Sequence, residues 1–161
     1  MNQELPTRES VQILTQTILP FALHGVNPRT IMGEAEWNKV KHQVQRESMH
    51  ECMCCGRYIR HVTGDWIETH EVYDFDIDKK EAKLIGFVGL CSDCHNFIHQ
   101  GRLRLLVVQG RMSIEEYRKI IIHGNRLLQR FGLTKQDLPA DEIKNPNWYL
   151  LYDGKKYQSC N

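Results

Sequence analysis

Four cysteines in two matched pairs carry the clearest chemistry in this sequence: Cys52-Met53-Cys54-Cys55 and Cys91-Ser92-Asp93-Cys94. A C-x-x-C turn lets two thiolates grip one ion from the same side at ~2.3 Å, and two such turns complete a tetrahedron. The spacing therefore predicts one structural zinc ion on Cys52, Cys55, Cys91 and Cys94. Chance placement is the bland alternative, and two matched pairs speak against it. Cys54 could replace Cys52 only with poor knuckle spacing, and Cys160, near the C-terminus, is expected to be free. A small core would lean on the metal, because structural zinc contributes roughly 10–16 kcal/mol of apparent binding energy to folding.

A second set of residues lies within the reach of that zinc crosslink: Glu68-Thr69-His70-Glu71 and His95-Asn96-Phe97-Ile98-His99. His95 and His99 are four apart, so on a helix they share one face, a spacing that can hold a metal ion. Cys94 is turned about 100° from His95, so cysteine and histidine sites need not compete. On a regular strand Glu68 and His70 point one way, Thr69 and Glu71 the other. The zinc would press strand against helix, and histidines and carboxylates would converge on a second, open metal position. The plain alternatives are exposed helix histidines and a cross-strand surface pair of His70 with Glu68. Asp74, Asp76 and Asp78 alternate and could collect Ca²⁺, but a solvated strand face is the simpler reading. Trp66, Tyr73, Phe75 and Phe87 read as core. His24, His42, His50, His61 and His123 lack partners at ligand spacing and receive no role.

The elements that must position these groups follow from periodicity and caps. Arg8 to Leu23 is amphipathic and predicts a helix capped by Thr7, bent at Pro20 and closed by Gly25. Gly33 to Ser48 predicts a second helix. Trp66 to Phe75 alternates and reads as strand, with Leu84 to Val88 as a second. Ser92 can cap a helix running to about Gln100, stopped by Gly101. Leu103 to Val108 reads as strand. Ser113 to Phe131 is a helix opened by a Ser113/Glu116 capping box, and Trp148 to Tyr157 a hairpin around Asp153-Gly154. The fold class expected is α+β: a small treble-clef zinc core, with flanking helices and a C-terminal β-hairpin. Residues 1–48 form an N-terminal helical segment, 49–104 the zinc-binding core, and 105–161 a C-terminal helix and hairpin packed on it.

The chain has 161 residues, 41% of them apolar, and a net charge of +1. No apolar run approaches the ~20 residues that cross a bilayer, and the polar start, Met1 to Ser10, does not read as a secretory signal. A cytoplasmic location with no membrane partner is the expectation, and there close cysteines bind metal more often than they pair. The charge is uneven. Seven acidic residues against two lysines leave −5 between Asp65 and Glu81, and seven basic against two acidic leave +5 between Gly101 and Arg130. Two ordinary solvated surfaces would look the same.

The ordered string Cys52-x-x-Cys55, Glu68-x-His70-Glu71, Leu90-Cys91-x-x-Cys94-His95-x-x-x-His99-x-Gly101 resembles the HNH, or ββα-metal, endonucleases of the four-cysteine, zinc-stabilised type. It covers about 50 of the 161 residues. Its last part looks like the helix of the colicin-type members, and the layout is similar to small HNH proteins encoded by phages, which implies action in a host cytoplasm.

The resemblance implies metal-assisted hydrolysis of phosphodiester bonds in DNA, with a histidine as base and Mg²⁺ or another divalent metal at the phosphate. Carried over, His70 is the general base, His95 and His99 hold the ion, and Glu68 or Glu71 supplies the acidic ligand. Arg102, Arg104 and Arg111 would hold the DNA backbone. Two departures stand out. Thr69 occupies the position before the base, and alignment on colicin-type members instead makes His70 a ligand and Glu71 the base. No asparagine lies between Glu71 and Leu90 to fill the family's middle position. The rival expectation is an inactive HNH-like zinc module that binds nucleic acid or a host protein.

Overall fold

The computed structural model describes residues 4–60 and 64–159, so Cys160 and His61 lie outside the described residues. At the centre is an antiparallel pair, β1 (Glu68–Asp76) and β2 (Glu81–Leu90), joined by a short turn that ends in Lys80 at φ 55°. The register pairs Glu68 with Leu90, His70 with Val88 and Glu71 with Phe87, and a bulge between Val72 and Tyr73 leaves Ile85 unpaired. Directly opposed residues share a face. Glu68, His70 and Val72 therefore look to one side with Leu90 and Val88. Thr69, Glu71 and Tyr73 look to the other with Gly89, Phe87 and Leu84.

Each face has its own apolar cluster. The His70 face is covered by α3 (Ser92–Ile98), by α5 (Ile114–Arg130) behind it and by the N-terminal turn, whose Val11, Ile13 and Leu14 are buried with Phe97, Leu103, Ile120 and Leu128. Buried side chains of this size contribute about 1.5–3 kcal/mol each. Gly124 lets α5 come close, since a Cβ there would meet the Phe97 ring. The other face carries α2 (Pro28–Glu47) and a second cluster of Leu23, Tyr73, Ala82, Leu138, Trp148 and Leu150. Trp37 of α2 stacks edge-on against Phe87, ring centroids 5.8 Å apart, and Gly89 admits Ile67 and Ser48 where a Cβ would not fit. The C-terminal strands β3 (Tyr149–Tyr152) and β4 (Lys155–Tyr157) turn at Asp153-Gly154, both at positive φ. β3 pairs parallel with β2, so the tail hairpin extends the sheet to four strands in the order β1-β2-β3-β4. The fold is mixed α+β.

Several elements differ from the sequence expectation. Arg8 to Leu23 is not one helix. It is α1 (Arg8–Val11), a 3-10 turn Gln12–Thr15, an extended stretch, and a 3-10 turn Phe21–Leu23. The Thr7 cap is present, in a capping box with Ser10, but Thr17 spends its hydroxyl accepting from the backbone of Leu138 at 2.8 Å, and Pro20 cannot donate to a helix. The second helix starts earlier, at Pro28 behind an Asn27 cap, and breaks at Gly33, where φ is +80°. Leu103–Val108 is not a strand. It belongs to α4 (Gln100–Val108), where Leu103 is buried, Leu106 and Val107 are half-buried, and Leu105 and Val108 are exposed, a helical rather than alternating rhythm. Gly101 lies inside that helix and stops nothing, and Cys91 rather than Ser92 is the residue before α3. Trp66 is 57% exposed and so is not core. A short helix, α6 (Ala140–Ile143), carries no sequence expectation; its Glu142 carbonyl accepts from the Trp148 indole at 2.9 Å.

Candidate functional site

The first pair of cysteines sits on a tight loop. Gly56 N–H donates to Cys52 C=O at 2.8 Å, with Gly56 at φ +72°, and an isolated bridge between Glu51 and Tyr58 closes the base. Met53 N–H donates to Gly89 C=O at 2.9 Å, which ties the loop to β2 just before the second pair. Cys91 directly follows β2 as the cap of α3, and Cys94 lies in the first turn of α3. The four Sγ atoms lie within 4.8 Å of one another, and Cys55 and Cys91 are 3.7 Å apart. Tetrahedral bonds of ~2.3 Å set sulfurs about 3.8 Å apart, so the group fits a zinc ion. The thiols also crowd one another electrostatically. Bonds from Cys55, Cys91 and Cys94 push Cys52 down, while bonds with Cys52 push Cys91 and Cys94 up. Four thiolates together need a dication. Arg57 pairs with Asp93 at 2.7 Å across the two halves of the site, half-exposed and of small energetic value.

The three histidines converge beside it. His70 comes from β1, His95 from α3, and His99 from the break between α3 and α4, where φ is −90° and ψ 44°. One ligand atom from each lies within 4.8 Å of the others. Ring centroids are 4.7 Å apart for His95–His99, 5.1 Å for His70–His99 and 5.3 Å for His70–His95. Glu68 Oε2 lies 2.6 Å from His95 Nδ1, a buried nitrogen that has no partner in hydrogen-bonding geometry. Glu68 thus addresses His95, and its own pKa is held below the carboxylate norm: burial works to raise it, but His95, Arg102 and His99 outweigh that.

Burial first, then the charges of His99, His95 and Lys135, push His70 down to about 2. Burial, His95, Arg102 and Lys135 push His99 down to about 4 against the pull of Glu68. Both rings are neutral near pH 7, as metal ligands must be. His70 is 1% exposed, and its Nδ1 is buried with no hydrogen-bond partner. Three converging imidazoles are a donor set that fits a divalent cation, with transition metals preferred over Mg²⁺.

Glu71 is not brought to this group. Paired with Phe87, it lies on the α2 face; burial first, then the charge of Glu71, raises the pKa of Tyr73, and burial raises that of Glu71 itself against the pull of His95. Asp74, Asp76 and Asp78 form no ligand cluster among the described residues, and Asp76 pairs with Lys79 at 2.7 Å. Arg102, Arg104 and Arg111 are exposed. Three residues were not singled out by spacing. Gln16 Nε2 lies 3.0 Å from His70 Nε2. His123, on α5, places Nε2 3.4 Å from Cys94 Sγ. Lys135 donates to Ile98 C=O at 3.1 Å beside the histidines.

No described helix is long and apolar enough to cross a membrane. Comparison with protein families, with characterised proteins and with solved structures finds no match for this chain.

Proposed function

We propose that the protein is a metal-dependent endonuclease of the HNH type that hydrolyses phosphodiester bonds in DNA. The observation that carries the reading is the convergence of His70, His95 and His99 within 4.8 Å, next to the four-cysteine cluster. The chain order of cysteine loop, β-hairpin and helix supports a treble-clef, ββα-metal arrangement.

His70, His95 and His99 are the residues that would hold the catalytic ion. A divalent ion there supplies charge that lowers the pKa of water and neutralises a phosphate. Glu68, 2.6 Å from His95 Nδ1 and outside the three-histidine group, would act behind that ring as a positioning residue rather than as a ligand. Exposed Arg102 and half-buried Lys135 both act electrostatically on His99, and both favour an approaching phosphate. Further out, the exposed cations of α4 and α5 can follow a DNA backbone.

The rival reading is a zinc module that binds nucleic acid or protein without cutting. It is favoured by the seat of Glu71, the base in the colicin-type alignment, on the far face of the sheet. Cleavage of supercoiled plasmid by zinc-loaded protein with Mg²⁺, Mn²⁺ or Ni²⁺ separates the two. Nicking by the wild type that His70→Ala and His95→Ala both lose is the expected result. No cleavage with any metal leaves the binding module, and equal cleavage by all three proteins marks a contaminant and sinks the enzyme reading.

A further inference from the structure

The N-terminal segment reaches the histidines through one side chain. Gln16 leaves the 3-10 turn in an extended conformation, φ −54° and ψ 129°, and runs beside the outer edge of β1, which has no neighbouring strand there among the described residues. Its amide is bonded to the backbone of β1 at both ends. Tyr73 N–H donates to Oε1 at 3.1 Å, and Nε2 donates to Glu71 C=O at 3.3 Å. The side chain thus stands in for one peptide group of a missing strand.

Those two bonds fix which way the amide points, because a backbone N–H can only donate and a backbone C=O can only accept. It is therefore an N–H group, not a carbonyl, that faces His70 Nε2 at 3.0 Å. A neutral imidazole has one donor nitrogen and one acceptor. His70 Nε2 must be the acceptor, and the ring proton sits on Nδ1.

We infer that Gln16 holds His70 as the Nδ1–H tautomer, with its free electron pair on Nε2, and that this contact and a metal ion on His70 exclude one another. An ion on Nε2 takes the pair that Gln16 uses. An ion on Nδ1 sends the proton to Nε2, where it meets the amide N–H head-on. Either route releases Gln16 from His70. Loading of the histidines is then coupled to the segment that Thr17 ties to Leu138. The exclusion rests on the three-histidine metal reading; the tautomer does not.

The test uses ¹⁵N long-range correlation spectra of the full chain with zinc on its cysteines, His70 being assigned by comparison with His70→Gln. The wild type should show a protonated Nδ1 and a bare Nε2. Gln16→Glu, whose carboxylate can only accept, should reverse the pattern. A wild-type Nε2–H overturns the inference, as does a folded Gln16→Glu protein with the tautomer unchanged. If that variant folds poorly, the wild-type pattern decides alone. A second equivalent of Zn²⁺ should then shift the His70 nitrogens and the Gln16 side-chain NH₂ together. Zinc that binds while the Gln16 signals stay in place overturns the exclusion. Plasmid cleavage enters neither readout, so failure of the nuclease reading leaves the tautomer result standing.

Discussion

His95 Nδ1 and Glu68 Oε2 lie 2.6 Å apart, one on α3 and the other at the start of β1. Carboxylates placed behind ligating histidines fix the ring and its tautomer, and their loss costs 10–100-fold in metal affinity as a rough rule. Glu68→Ala should weaken the histidine-site ion by about that range, with the cysteine zinc unaffected. Competition with a chelator of known affinity measures both. Unchanged affinity would mean that Glu68 merely decorates a surface pair.

The close approach of α5 to α3 makes Gly124 a sensitive position. A methyl group there meets the buried Phe97 ring, which α3 and the cysteine cluster hold in place. Gly124→Ala should destabilise the zinc-loaded protein by about 1–3 kcal/mol, the usual range for overpacking. Gly86→Ala, where a Cβ meets nothing within 4 Å, is the control. Urea denaturation of the two variants compares them directly, and equal midpoints would contradict the packing described.

Glu71 predicts a pH effect of definite sign. Burial raises its pKa in the folded chain above the ordinary carboxylate value of 4.5. Below that value both folded and unfolded chains hold the proton, and the group is neutral in its effect. As pH rises past it, the unfolded chain ionises first, so the folded state loses stability until its own carboxyl ionises. Glu71→Gln removes that loss. It should stabilise the protein more at pH 7 than at pH 4, as read by thermal unfolding at each pH. A gain that is equal at both would place the carboxylate in water.

Much of the site was legible because its residues are close in sequence. Each C-x-x-C pair is a local turn, and the alternation of Glu68 to Phe75 fixes both the strand and the face that His70 shares with Glu68. The Ser113/Glu116 capping box is likewise complete within one helical turn, and both halves are formed. Leu103–Val108 misled because Val107 and Val108 favour strand, while the packing of Leu103 in a helix decided the outcome. Gln16 could not be read at all. It meets His70 across 54 positions, and only the folding of the N-terminal segment along β1 brings them together. His123 reaches Cys94 through the packing of α5 on α3, which no spacing rule encodes.

The proposed chemistry stands or falls with whether the three histidines hold an ion of their own. Cobalt(II) titration of the metal-free protein, followed by absorption, asks this directly. Two steps are predicted. The first should carry intense thiolate charge-transfer bands from Cys52, Cys55, Cys91 and Cys94, and the second only weak d–d bands from nitrogen ligands. The second step should vanish in His95→Ala/His99→Ala while the first survives. A single step, or a second step that persists in the double variant, would contradict the metal centre and with it the nuclease.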